Sequence, residues 1–288
     1  PLLHEDKLIF PVGKFRAVLT TPELRYAIEH DHVKKIGKVA VYEQAELFSD
    51  FVTWAYDQRQ QAKNDNNEIA AYFLKIFMNS LYGKFGQRGR RYEELEETYD
   101  MDVKSWTDVT YPEGIVTHFR QFGGIIQAFK DEGESTHSFP AIAAHVSAEA
   151  RMELWSIIHE AGRANVFYCD TDSVLVNEKG YKKLAHRLQG KGLGALKVEE
   201  KITTFTLYGA KDYNINGRQK TKGIRKDAEW LDTNSVNQLR FVGFRGLLQR
   251  GSIDAPIIHK HVKKLTRAYT KGVVDKLGHV RPIRLTGW

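Results

Sequence analysis

Two aspartates separated by one residue, Asp170 and Asp172, have the residue type and spacing that most directly point to chemistry. Apolar residues lead up to them and follow them, so residues 165–176 are predicted to form a strand, a tight turn and a second strand. Two carboxylates held this close repel each other, and a hard divalent cation with oxygen ligands relieves that repulsion. Asp and Thr are also common turn residues, so the local pattern is compatible with either a metal site or an ordinary polar turn.

Upstream, two amphipathic patterns predict helices that carry cations at matching positions. The first runs from about residue 44 to residue 63, residues 64–67 interrupt it, and the second runs from residue 69 until Gly83 ends it. Arg59 and Lys63 lie at i and i+4 on the first helix, while Lys75 lies about two turns into the second helix. In an antiparallel hairpin these three cations could converge on one anion, although Lys and Arg side chains are more often solvated at a surface.

The composition is that of a basic globular protein. The 288 residues are 42% hydrophobic and include 43 Lys and Arg against 36 Asp and Glu, a formal net charge of +7. This balance favours a polyanionic partner. The single cysteine excludes an internal disulfide and fits a reducing compartment. No apolar run approaches the ~20 residues that span a bilayer, so no membrane partner is expected.

The rest of the chain is predicted to alternate strands with short helices. Strands are expected near residues 8–13, 39–42, 115–119, 124–129, 195–201, 203–208 and 212–215, and helices from Thr20-Thr21-Pro22 and over residues 138–162 and 182–188. The acidic run over residues 93–102 is interpreted as a solvated face, and Asn216-Gly217 favours a hairpin turn. Residues 259–284 contain eight Lys or Arg, one acid and Tyr269, and a basic helical pattern adjoins them. A phosphate backbone attracts such a segment.

Three short motifs in this order resemble those of the family B DNA polymerases. Residues 75–83, Lys-Ile-Phe-Met-Asn-Ser-Leu-Tyr-Gly, are similar to the K-x-x-x-N-S-x-Y-G motif, and residues 168–173, Tyr-Cys-Asp-Thr-Asp-Ser, to the Y-x-D-T-D-S motif. Lys211-Asp212-Tyr213 resembles the downstream K-x-Y element. The order and spacing of all three motifs are more specific than any one of them. The resemblance extends over nearly the whole chain.

This resemblance implies an α+β fold with an antiparallel palm sheet and helices, an α-helical hairpin as the fingers and a small basic thumb. The implied domains are a palm segment over residues 1–46, the fingers hairpin over 47–83, palm hairpins or an insertion over 84–139, palm with the metal-binding hairpin over 140–215, and the thumb over 216–288. The length of the third segment and the compact end favour the protein-primed branch of viruses and mobile elements. An intracellular location follows, in the cytoplasm of a microbial host or in an organelle for a linear plasmid.

The implied activity is DNA-templated DNA synthesis, in which a dNTP is joined to the 3′-hydroxyl of a DNA primer on its template. Asp170 and Asp172 would be the catalytic metal ligands, holding two Mg²⁺ ions, with Mn²⁺ as a substitute. Other residues would bind the substrates. They are Arg59, Lys63 and Lys75 at the dNTP triphosphate, Asn79 in the nucleotide pocket, Tyr82 beneath the sugar, where it would exclude a 2′-hydroxyl, Lys211 and Tyr213 at the primer terminus, and Lys220 and Lys222 on the duplex.

The sequence departs from the family pattern at one point. Family members carry another palm carboxylate in a D-x-x-S-L-Y-P motif, which does not occur between Pro1 and Lys75, and there is no 3′-5′ exonuclease region. We therefore expect a fragment, one half of a split polymerase whose second polypeptide supplies these parts, or an inactive relative. A terminal priming protein would be a further partner. The alternative function is that of a non-catalytic DNA-binding or assembly subunit.

Overall fold

The fold consists of two compact units in a computed structural model that describes residues 2–4, 7–190, 192–243 and 258–285. One unit is Leu19–Trp155, and the other contains the described residues up to Val18 and from Ser156 onward. Both units combine helices with antiparallel strands, so the predicted α+β class is confirmed. None of the helices in the described ranges is long and apolar enough to cross a membrane.

The helices and strands are numbered here in chain order. The α-helices are α1 (Thr21–Glu29), α2 (Ser49–Asn64), α3 (Glu68–Phe85), α4 (Pro140–Ala161) and α5 (Glu178–Lys183). The strands are β1 (Leu2–His4), β2 (Lys7–Ile9), β3 (Val12–Gly13), β4 (Arg88–Glu97), β5 (Lys104–Thr110), β6 (Ile115–Phe122), β7 (Ile125–Glu134), β8 (Val166–Asp170), β9 (Ser173–Val176), β10 (Phe205–Gly209), β11 (Asp212–Ile215), β12 (Arg218–Thr221), β13 (Glu229–Trp230), β14 (Ser235–Phe241), β15 (Ile258–Lys264), β16 (Gly272–Val274), β17 (Val280–Pro282) and β18 (Arg284–Leu285).

In the unit formed by residues 19–155, α2 and α3 pack against each other as the predicted helical hairpin. Small buried residues, Ala55, Ala62 and Ala71, allow the two helices to approach closely. The Asn67 side chain caps α3 by accepting a hydrogen bond from the N–H of Ala70 at 3.0 Å. The prediction that Gly83 ends this helix was wrong. The helix continues to Phe85, whose ring contacts that of Phe48 at 5.3 Å between centroids.

The same unit contains an antiparallel four-stranded sheet in the order β4-β7-β6-β5. The strands predicted near 115–119 and 124–129 are confirmed as β6 and β7, whereas β4 and β5 were not predicted. Glu93–Glu97 lie on β4 and are exposed, as expected of a solvated acidic run. Helix α1, which starts at the predicted Thr-Pro signal, contacts α4, because Arg151 pairs with Glu23 at 2.7 Å.

Two predicted strands, over residues 39–42 and 195–201, are irregular instead. The side chains of Val39 and Val41 are 66% and 88% exposed, so the β-branched residues that suggested the first strand do not pack against any strand that the structure describes. The helix predicted over residues 182–188 is displaced. Asn177 caps α5 from residue 178 onward, and a 3₁₀ helix, Ala185–Gln189, follows.

In the other unit, the end of α4 packs against the β8–β9 hairpin and α5. The core of this contact is formed by Ile157, Ala161 and Leu184, with Val166 and Val174 among the partly buried residues packed against it. Short sheets follow, in the orders β10-β11-β12 and β13-β14-β15. The basic helical pattern predicted next to residues 259–284 lies outside the described residues, and residues 258–285 form strands and irregular connections.

Candidate active site

The turn between β8 and β9 carries the two aspartates, as predicted. Asp170 pairs with Ser173 across the hairpin, and the Asp172 N–H donates to the Asp170 carbonyl oxygen at 2.7 Å. Thr171, between them, has a positive φ of 56°, which a tight two-residue turn requires. The Asp170 side chain is 25% exposed, whereas Asp172 is exposed to solvent. The hairpin therefore presents two carboxylates at one tip.

Lys211 is the cation that neutralises the first of these carboxylates. Its Nζ lies 2.6 Å and 2.8 Å from the two carboxylate oxygens of Asp170. The hydrogen bond from Lys211, helped by one from Thr171, lowers the pKa of Asp170, and the same contact raises the pKa of Lys211. Lys211 itself has a φ of 60°, and its backbone N–H donates to the Tyr168 hydroxyl at 2.8 Å. Three hydrogen bonds therefore connect Lys211, the residue before β11, to the hairpin.

Tyr213 lies in the same cluster through its ring. The Tyr213 ring centroid is 5.4 Å from that of Tyr168 and 5.9 Å from that of Phe205. Burial is the main cause that raises the pKa of the Tyr168 hydroxyl. Lys220 pairs with Tyr213 between β11 and β12, and its ammonium lies 6.0 Å from the ring centre. The structure thus brings two predicted primer-binding residues to the β8–β9 hairpin, Lys211 at Asp170 and Tyr213 at Tyr168, with Lys220 on the neighbouring strand.

The carboxylate pair matches the donor chemistry of Mg²⁺, which prefers hard oxygen ligands. The Lys211 ammonium already occupies both oxygens of Asp170, so this position accepts a cation. Among the described residues, no group of three His, Cys, Asp or Glu side chains is placed to hold a metal ion. Asp170 and Asp172 therefore fit a metal by type but need further ligands, as the sequence pattern also indicated.

A second site lies in the other unit, between α2 and α3. A pocket of about 320 Å³ is open here, and its lining includes all three cations predicted to converge. It is lined by Arg59, Lys63, Asn66, Glu68, Ala71, Tyr72 and Lys75. The Nε of Arg59 is buried and has no hydrogen-bond partner in the described part of the chain. The pocket therefore offers positive charge to an anion.

Asn79 and Tyr82 lie on α3 at i+4 and i+7 from Lys75, which places them on the same helix face. Both are exposed, and neither lines the pocket. The helix thus aligns these residues with Lys75 without bringing them into the cation cluster. Lys222, predicted to contact DNA, adds a small contribution to lowering the pKa of Asp170, and its N–H donates to the Lys211 carbonyl oxygen at 2.8 Å.

The sequence did not predict the contact of Arg267 with Asp212, the residue between Lys211 and Tyr213. Arg267 donates from Nε to an oxygen of Asp212 at 2.9 Å and lies over the Tyr208 ring at 4.2 Å. The sequence pattern showed Arg267 only as one of the basic residues of the segment 259–284, which is called the tail below. No local spacing links it to Asp212, which is 55 positions away.

Comparison with known proteins finds similarity to DNA polymerases. The family model described as DNA polymerase type B, organellar and viral, matches residues 3–106. A probable DNA polymerase from Neurospora intermedia is 26% identical over 265 residues, which are 90% of this chain and 25% of that relative. The chain is similar to family B DNA polymerases. The resemblance inferred from three short motifs is thereby confirmed.

Two further relatives carry similar names. A probable DNA polymerase from Ascobolus immersus is 24% identical over 80% of this chain and 19% of its own length. A DNA polymerase from Kluyveromyces lactis is 26% identical over 55% of this chain and 16% of its own length. The chain therefore spans a quarter or less of the length of these relatives. No solved structure matches it.

Proposed function

We propose that this chain is the part of a DNA polymerase that carries two metal-binding aspartates, the triphosphate site and the primer-terminus site. The observation that carries the proposal is the cluster of Asp170, Lys211 and Tyr213. In this cluster a carboxylate that could bind a metal, a cation and an aromatic ring all lie at the β8–β9 hairpin. Family membership and the names of the relatives support the same activity.

Asp170 and Asp172 are proposed to hold divalent metal ions, with Mg²⁺ as the expected ion and Mn²⁺ as a substitute. When bound, such ions activate the primer 3′-oxygen and stabilise the leaving pyrophosphate. The role of the chain itself is positional. The hairpin fixes the carboxylates, Lys211 balances their charge, and Tyr213 provides a ring against which the primer end packs. Lys220 and Lys222 are proposed to contact the phosphates of the duplex.

The pocket between α2 and α3 is proposed to bind the triphosphate of the incoming dNTP. Arg59, Lys63 and Lys75 would neutralise charge that builds up on the phosphates during transfer. Asn79 and Tyr82 are proposed to shape the neighbouring part of the site, with Tyr82 against the sugar. A Tyr82→Ala variant with unchanged preference for dNTP over rNTP would remove that role from Tyr82.

In domain terms, residues 47–83 are proposed as fingers, residues 216–288 as thumb, and the remainder as palm with an insertion over residues 84–139. We further propose that the enzyme belongs to the protein-primed branch and acts with a terminal priming protein. It would work in the cytoplasm of a microbial host or in an organelle. The additional carboxylate would come from a D-x-x-S-L-Y-P sequence, in the same polypeptide or in a second one.

The test is primer extension by the full polypeptide that contains these residues, together with any second polypeptide that carries the D-x-x-S-L-Y-P sequence. Asp170→Asn should abolish Mg²⁺-dependent extension while leaving DNA binding intact. Asp227→Asn is the matched control, because Asp227 is an exposed carboxylate paired only with Arg225 among the described residues, and its extension should equal that of the wild type. Full extension by Asp170→Asn would refute the role of Asp170. DNA binding without any extension by the wild type would favour a non-catalytic DNA-binding subunit.

The triphosphate site is tested separately by steady-state kinetics. Arg59→Met and Lys75→Met should each raise the KM for dNTP by about tenfold or more, because each removes a charged hydrogen-bond donor to phosphate. Lys84→Met is the control on the same helix, since Lys84 is exposed and bonds Gln87. If Lys84→Met raises the KM as much as Lys75→Met does, the pocket is not the triphosphate site.

A further inference from the structure

Arg267, in the tail that follows β15, forms a largely buried ion pair with Asp212 at the start of β11. The side chains of Arg267 and Asp212 are 21% and 14% exposed. The guanidinium donates to both carboxylate oxygens, at 2.9 Å from Nε and 3.5 Å from the terminal nitrogen, and lies over the Tyr208 ring. Thr221 and Gln219 also donate to the same carboxylate, at 2.8 Å and 2.9 Å. Asp212 is therefore held firmly at this position.

Asp212 and its two neighbours in the chain contact different parts of the protein. Lys211 contacts Asp170, and Tyr213 contacts Tyr168, so both residues contact the β8–β9 hairpin. Asp212, between them, contacts the tail instead. Asp212 and Tyr213 are neighbours on β11, where successive side chains lie on opposite faces. A rotation or slip of this segment would move all three side chains together. The tail contact therefore opposes such a movement from the side away from the hairpin.

The chemistry at this contact suits arginine specifically. A planar guanidinium can donate to a carboxylate with two nitrogens and stack on an aromatic ring at the same time, whereas an ammonium cannot do both. Removal of the guanidinium would leave a mostly buried carboxylate without its charge partner, which is strongly unfavourable. Arg267 thus differs from the exposed cations of the tail, whose charges are available to solvent or to phosphate.

We propose that Arg267 is a positioning residue for the primer terminus, acting through Asp212 to fix Lys211 and Tyr213. This inference rests on the proposed function, because it assumes that Lys211 and Tyr213 contact the primer end. It gives the basic tail a second role beyond attraction of phosphate. One of its cations sets the geometry of the site and does not touch DNA.

The test compares DNA affinities of the full polypeptide at one fixed salt concentration. One DNA has a recessed 3′ end and the other is a blunt duplex of equal length. Arg267→Gln should reduce the preference for the recessed end by about tenfold, since a coupling of this kind between neighbouring residues is commonly worth that much. Lys271→Gln is the matched control, because Lys271 is exposed in the same tail and its loss removes the same charge. It should weaken binding to both DNAs equally.

Double variants separate positioning from a general loss of charge. Asp212→Asn should reduce the preference as Arg267→Gln does, and the double variant should be no worse than either single one. Additive losses would overturn the inference, as would equal weakening of both DNAs by Arg267→Gln. If Arg267→Gln does not fold, Arg267→Lys is measured in its place, because lysine keeps the positive charge but lacks the planar guanidinium. A preference equal to that of the wild type in Arg267→Lys would then overturn the proposal.

The outcomes also separate this inference from the proposed function. A wild-type polypeptide with no preference for a recessed 3′ end would contradict the primer-terminus site itself. A wild-type preference that Arg267→Gln retains in full, with the fold intact, would contradict only the role of Arg267.

Discussion

Replacement of Lys211 by methionine tests the ion pair between Lys211 and Asp170 at the β8–β9 hairpin. Methionine keeps the length of the side chain and removes its charge. Asp170 then loses the ammonium that lies 2.6 Å from one of its oxygens. The Lys211 side chain is 44% exposed and that of Asp170 25% exposed, so water still screens the pair. The substitution thus tests a partly screened pair with little change in shape.

The expected magnitude follows from this exposure. Two unit charges 2.6 Å apart attract by about 1.6 kcal/mol at the dielectric constant of water. Ordering two flexible side chains offsets part of that attraction, so the free energy of unfolding should fall by about 1 kcal/mol in Lys211→Met. Lys220→Met is the control. Lys220 is exposed, and its loss should change stability by less than about 0.5 kcal/mol.

The stability that the Lys211–Asp170 pair contributes should depend on pH in a definite direction. Because Lys211 lowers the pKa of Asp170 below its ordinary value of 3.8, the pair contributes stability above that value and loses it as the pH falls through the lowered pKa. The difference between wild type and Lys211→Met, measured by urea unfolding, should therefore be constant from about pH 5 to pH 8 and shrink in acid. A difference that grows in acid would refute the assignment of the pair.

The same variant should bind divalent ions more tightly. Lys211 competes for the oxygens that a metal would use, so removing about 1 kcal/mol of competition should raise Mn²⁺ affinity about fivefold. Mn²⁺ titration followed by electron paramagnetic resonance measures this without any turnover. Unchanged or weaker Mn²⁺ binding in Lys211→Met, with Lys220→Met equal to the wild type, would show that the carboxylate of Asp170 is not the metal ligand.

Two further substitutions test the fold. Arg151→Met should lower the free energy of unfolding by about 1 kcal/mol at neutral pH, with a smaller loss in acid, measured by urea unfolding at several pH values. Burial would raise the pKa of Glu23, but hydrogen bonds from Arg151 and Thr20 outweigh it and lower that pKa, so the pair contributes only above the ordinary pKa of the carboxyl group. Gly13→Ala should cost roughly 3 kcal/mol, seen as a lower urea midpoint, because a Cβ at this φ of 125° would overlap the backbone oxygen of Leu285 on the paired strand β18. Equal effects of Gly13→Ala and Gly37→Ala would contradict this, since nothing lies within 4 Å of a Cβ at Gly37.

Features set by neighbouring residues were predictable from the sequence. The β8–β9 hairpin follows from two apolar runs around Asp-Thr-Asp, and the turn at Asn216-Gly217 follows from two residues that accept a positive φ, here 49° and 82°. The helical hairpin follows from the period of its apolar residues and the polar break at residues 64–67. In each case the deciding interaction lies within a few positions along the chain.

Features set by distant partners were not predictable in this way. Val39 and Val41 favour a strand by type, yet a strand also needs a neighbour to supply its hydrogen bonds, and spacing along the chain does not show whether one exists. The order β4-β7-β6-β5 depends on pairing across tens of residues. The pairing of Arg267 with Asp212 is of the same kind, since nothing in the local sequence distinguishes Arg267 from the other cations of the tail.

The two candidate sites share one physical property, namely charge held where the chain itself does not fully satisfy it. A buried donor without a partner, such as the Nε of Arg59, costs about 1–3 kcal/mol of stability. Arg59 lines the same pocket as Lys63 and Lys75, so the three side chains place positive charge around one space. At the hairpin the sign is reversed, because two carboxylates lie together and only Asp170 carries a lysine on both of its oxygens. The proposed function needs this difference between the two sites, because cations would face a triphosphate and carboxylates would face metal ions.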